Sequence, residues 1–180
     1  MERTNYLSGT PDAAYPKAFM TASQQEIDPG VINRLLYAAM SAPAPIPFLP
    51  WKFIAVTDRP TLARLAIALP FAPKLSRAVA AIVVCALKEK AVMGSEAMAI
   101  IQCSCASQNI LLTAQAMGFG TAWTSLYPNE DNMDSIRKQL QIPREVIPLN
   151  ILPLVEMDRA EKSRSKYDTR NIFHEKWNNH

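Results

Sequence analysis

Histidine, cysteine and glycine are scarce in this 180-residue chain, with 2, 3 and 5 residues respectively. Both histidines, His174 and His180, lie in the tail, so a histidine-based catalytic triad or metal centre has little support. The few glycines form no Walker loop, no GxGxxG and no GxSxG, which removes the glycine-rich phosphate cradles and the nucleophile elbow. Gly118-Phe119-Gly120 follows a helical pattern rather than opening one. Cys85, Cys103 and Cys105 fit neither a disulfide framework nor a zinc site, and read as buried core thiols. Charge is nearly balanced at +3, from 19 Lys plus Arg against 16 Asp plus Glu, and no aromatic-interleaved basic stretch occurs, so no nucleic-acid partner is expected. A signal-peptide core and an apolar run of bilayer length are not found, which predicts no membrane partner and a cytoplasmic location.

Apolar residues make up 49% of the chain, enough for a real core with a surplus that a buried oligomer interface would explain. One domain spanning 1–180 is expected, with an irregular N-terminal arm over about 1–25 and a C-terminal arm over about 157–180. Asp28-Pro29 reads as an N-cap and first helical residue, opening a helix that ends near Met40. Four prolines between Ala42 and Trp51 then force an extended loop. Strands are predicted over 52–56, 79–87 and 146–152, the second apolar throughout and therefore covered on both faces. Pro148 places the last of them at an edge or a bulge. Helices are expected over 61–69 and 131–140.

The centre of the chain is Gln102–Pro128. Cys103, Ala106, Ile110, Ala114 and Met117 recur at helical spacing, Gly118 sits where a left-handed C-cap belongs, and Thr121–Thr124 is strand-prone. A buried helix that stops on glycine and feeds a small-residue strand gathers backbone amides at one point, the expected ligand site. Gln108 and Asn109, polar inside this helix, belong either to a satisfied buried network or to the ligand. The basic residues cluster between Arg159 and Arg170, a solvated tail or an anion site.

Ala42-Pro43 through Pro50-Trp51-Lys52-Phe53, Ser104 through Gln108-Asn109-Ile110-Leu111-Leu112 to Trp123-Thr124-Ser125-Leu126-Tyr127-Pro128, and Asn171-Ile172-Phe173-His174-Glu175-Lys176-Trp177 follow one another in an order and spacing that resemble the nitroreductase family. The resemblance implies an α+β fold, a central mostly antiparallel sheet flanked by helices in an intertwined homodimer. It further implies an oxidoreductase that holds FMN, takes electrons from NAD(P)H and reduces a nitroaromatic, quinone or similar small aromatic acceptor, with the chemistry on the flavin and no catalytic side chain. Lys162 and Arg164 match the family's phosphate contacts, with Lys17 a further cation; Thr124 and Ser125 match the backbone that reaches the ring, Ser125 standing where relatives carry glycine. In the proline loop the family's Asn and Gln fall on Pro47 and Leu49, so that Pro45, Ile46, Pro47, Phe48 and Leu49 offer an apolar wall. These replacements, with the missing N-terminal arginines, motivate a second reading: a dimer of this fold without redox activity, acting as a binding or flavin-carrier protein.

Overall fold

The computed structural model describes residues 26–69, 71–72, 75, 77–156 and 166–177. Among the described residues, four α-helices are each opened by a polar cap. In α1 (Pro29–Met40) the Asp28 carboxylate accepts from the Gly30 amide at 2.9 Å, and in α2 (Arg59–Ala68) Asp58 accepts from the Thr61 amide at 2.8 Å. Ser95 and Asn129 do the same for α3 (Glu96–Ala116) and α4 (Glu130–Leu140). Each cap satisfies an amide that the first turn leaves without an intrahelical acceptor. Helix α3 ends where the spacing predicts: Gly118 takes φ +82°, a conformation open to glycine at little cost, and its amide donates to Gln115 O at 3.0 Å.

Five strands form one antiparallel sheet in which the long β5 (Ile147–Glu156) is central. Strand β2 (Ala80–Ala86) lies on one side of it and carries β1 (Trp51–Val56) at the sheet edge; β3 (Phe119–Gly120) and β4 (Thr124–Ser125) lie on the other side. All of β2 and all of β5 except Glu156 are buried, as continuous apolar runs require when helices cover both faces. Helix α1 packs on α3 and α2 on α4, and α3 also crosses β1, β2 and β5. The helix, strand and loop order of the α+β reading is therefore borne out.

Three sequence expectations change in detail. Pro148 is not at an edge: β5 is the central strand, and Pro148 sits beside a bulge where the register slips from Val84↔Asn150 to Cys85↔Pro148, leaving Leu149 unmatched. The strand predicted over Thr121–Thr124 is split, although Gly120↔Val155 and Thr124↔Ile151 belong to one continuous register. That register sets Ala122 opposite Pro153, which has no amide hydrogen to donate, so the ladder is interrupted there. Finally, α3 spans 21 residues with a mean hydropathy of 1.2 and meets the length and composition of a membrane span. Ala99, Cys103, Ala106, Ile110 and Ala114 on it lie in the hydrophobic core, so it is the core helix of this fold.

Candidate functional site

The site expected after α3 is built from the inside outward by two buried polar residues. Ser107 on α3 and Asn150 on β5 are both fully buried. The Asn150 amide donates to the Ser107 hydroxyl at 2.9 Å, and that hydroxyl donates in turn to Cys103 O at 2.9 Å. This chain of bonds fixes α3 against the strand that pairs with β4. Asn150 lies directly opposite Ser125.

The register decides what Ser125 presents. Leu126 donates its amide to Leu149 O at 3.0 Å, so Leu126 and, two residues earlier, Thr124 occupy the hydrogen-bonding positions of the β4–β5 ladder. Ser125 falls between them, and its N–H and C=O point away from β5 toward the open strand edge. Its side chain is held as well: the Trp123 indole N–H donates to the Ser125 hydroxyl at 3.0 Å. Beyond β4, the Tyr127 hydroxyl donates to Glu96 Oε1 at 3.1 Å, tying this segment to the start of α3. That bond to the neighbouring carboxylate holds the phenol above its ordinary pKa.

The proline loop reaches the same end of the sheet. Its exit is anchored at Pro50, whose carbonyl accepts from the Leu87 amide at 2.7 Å and faces the Cys103 thiol at 3.7 Å. Within the loop Phe48 donates to Pro45 O at 2.7 Å and Leu49 to Pro47 O at 3.0 Å, so the short-range turns absorb its amides. Ile46 is left 87% exposed, with Phe48 and Leu49 also exposed. Phe53, Val84, Asn150 and Ser125 lie in one row across β1, β2, β5 and β4, three strand spacings or about 14 Å. The loop enters two residues from the far end of that row.

Pro45, Ile46, Pro47 and Leu49 thus lie beyond the β1 edge of this sheet end, while Ser125 turns its backbone outward at the opposite, β4 edge and Thr124 is bonded into the β4–β5 ladder. Lys17, Lys162 and Arg164 lie outside the described residues. Asn109 donates to Ala38 O at 2.9 Å and closes the end of α1, whereas Gln108 is exposed, so the polar pair is divided between structure and solvent. Trp51 is a core residue. Trp177 stacks on Phe173 with ring centroids 4.2 Å apart and is exposed. A separate cavity of about 680 Å³, lined by Ile32, Asn33, Thr57, Asp58 and Arg59, opens at the opposite end of β1, and none of the predicted site residues among the described ones lines it. Sequence reasoning missed Ser107, Asn150 and the indole clamp of Trp123; Asn150 carries a signal, being an isolated polar residue inside an otherwise apolar strand, whereas Ser107 adjoins the polar pair Gln108-Asn109.

Burial pushes the Cys85 and Cys103 thiols up to about 12, so neither is a nucleophile near neutral pH. Among the described residues, no cluster of three or more His, Cys, Asp or Glu side chains is placed to hold a metal ion. A planar ligand with hydrogen-bonding edges fits the outward amide and the hydroxyl of Ser125 at the β4 edge, and the exposed apolar side chains of the proline loop lie across the sheet at the β1 edge.

Fold and site define an α+β protein whose covered sheet has an open β4 edge on one side and an apolar loop at the β1 edge on the other. The sequence profile of the Nitroreductase family matches residues 66–152. A protein of Methanothermobacter thermautotrophicus provisionally named NADH dehydrogenase/NAD(P)H nitroreductase is 35% identical over 85% of this chain and 79% of its own, and one of the same name from Archaeoglobus fulgidus is 36% identical over 86% and 90%. The crystal structure of a Parabacteroides distasonis protein, again provisionally so named, superposes with a TM-score of 0.80 at 35% identity, covering 92% of this chain and 95% of that one. The chain belongs to the nitroreductase family, and is an oxidoreductase.

Proposed function

We propose that this oxidoreductase binds FMN, takes electrons from NAD(P)H and passes them to a small aromatic acceptor such as a nitroaromatic or a quinone. The observation that carries the reading is the outward-facing amide of Ser125, fixed by the β5 register at the sheet end that the proline loop borders. The names of the relatives support the nucleotide donor. FMN, when bound, supplies two-electron transfer between donor and acceptor. The chain supplies position: Ser125 offers its outward backbone to the ring edge, Thr124 holds it there through the β4–β5 ladder, and Pro45, Ile46, Pro47, Phe48 and Leu49 offer apolar surface that excludes water. Lys162, Arg164 and Lys17 are the cations assigned to the phosphate, a dianion that needs charge-assisted donors.

The active unit in this reading is a homodimer. Helix α3 leaves Met98 and Ile101 exposed, and Tyr37 and Met40 are exposed on its neighbour α1. Positions 98, 101, 105, 108 and 112 repeat at the three-four spacing by which one helix packs against another. Burying this seam against a second copy removes apolar surface from water.

The test is the visible spectrum of the purified protein after incubation with excess FMN, followed by NAD(P)H oxidation with a quinone acceptor. Retained flavin and steady turnover are expected. A colourless protein that gains no flavin sinks the proposal. Pro47 and Leu49, which replace polar side chains with apolar ones, favour one alternative, a flavin-carrier or binding dimer; retained flavin without turnover selects it.

A further inference from the structure

The Ser125 side chain ends in a hydroxyl, and the structure shows what holds it. Trp123 and Ser125, two apart in an extended run, project to the same face. The indole N–H is a donor only, and it is committed to the Ser125 oxygen at 3.0 Å. A hydroxyl has one hydrogen and two lone pairs, so accepting from the indole uses a lone pair and leaves the O–H free to donate. Among the described residues no acceptor for that hydrogen is found, and Ser125 is exposed at the open edge of β4. The Ser125 amide is turned to the same edge by the ladder register. The amide lies in the sheet plane and reaches out from the β4 edge, and the hydroxyl stands on the face beside it, so a ligand that covers this rim meets both donors.

We infer that Ser125 is a two-donor contact for the flavin ring, its Trp123-oriented hydroxyl giving a hydrogen bond to an acceptor atom of the isoalloxazine in addition to that of the backbone amide, with Trp123 as the positioning residue. The inference rests on the FMN reading above. Its consequence is that the Ser125 side chain adds to ring recognition at the rim across the sheet from the apolar loop. A ligand without acceptor atoms on that edge gains nothing from it.

Titration of flavin fluorescence with wild type, Ser125→Ala, Ser125→Thr and Trp123→Phe tests the inference, each variant being checked for an unchanged circular-dichroism spectrum and unfolding midpoint. Ser125→Ala keeps the amide and loses the hydroxyl, and is expected to weaken FMN binding about 3- to 10-fold, the range of one neutral hydrogen bond. Ser125→Thr restores the hydroxyl and most of the affinity. Trp123→Phe keeps the hydroxyl but frees its rotation, and falls between wild type and Ser125→Ala. The visible band of bound FMN shifts in Ser125→Ala and returns in Ser125→Thr, a signature that loss of packing alone does not give. Ser125→Ala binding FMN within twofold of wild type, with a superimposable bound spectrum, overturns the inference while leaving the FMN reading intact. Wild-type protein that binds no FMN overturns both.

Discussion

Replacing Ser107 with alanine removes one oxygen from the bond chain that joins α3 to β5, and leaves the Asn150 amide without its acceptor. Both residues are fully buried, so no water replaces the lost partner. Stranding a buried donor costs about 1–3 kcal/mol, more than the net worth of the bond itself. With a urea slope of about 2 kcal/mol per molar, the unfolding midpoint of Ser107→Ala should fall by about 0.5–1.5 M at unchanged slope, measured at one fixed protein concentration. The double variant Ser107→Ala/Asn150→Leu removes both polar partners, and should be more stable than the sum of the single variants by at least about 0.5 kcal/mol. A Ser107→Ala midpoint within 0.2 M of wild type, or strict additivity in the double variant, refutes the claim that this pair locks the helix to the strand behind Ser125.

Three further outcomes follow from the same geometry. Gly118→Ala finds no atom within 4 Å of the new Cβ, so its cost is the backbone term alone, about 1–2 kcal/mol for an L-residue at φ +82°, read as a lower thermal midpoint. Cys85 and Cys103, held near 12, stay unmodified by a thiol reagent at pH 8 in the folded protein, so at most Cys105 reacts before denaturant is added and all three react after. Asp58, held below the usual carboxylate range by its bonds to the Thr61 hydroxyl and amide, contributes stability that is present above its unfolded pKa and lost as pH falls through its folded one. Urea midpoints measured across the acid range should therefore drop less steeply in Asp58→Asn than in wild type.

The sequence by itself determined the elements whose cause is local. Asp28 and Asp58 cap helices because a carboxylate accepts from amides two or three residues ahead, Gly118 ends α3 because it alone takes the left-handed turn cheaply, and β2 is covered on both faces because it offers no polar one. The order of these elements, with the motifs of the proline loop and the Trp123–Pro128 segment, carried the family. What tertiary structure decided is the register of β5, a relation between segments far apart in the chain. It places Pro153 opposite Ala122 and so divides the expected strand, puts the bulge at Leu149 beside Pro148, and turns the Ser125 amide outward. It also sets Asn150 against Ser107, 43 residues away. A helical or strand period says which face a residue occupies, but not which partner lies opposite; that choice is made only when the whole sheet assembles and every buried donor must find an acceptor.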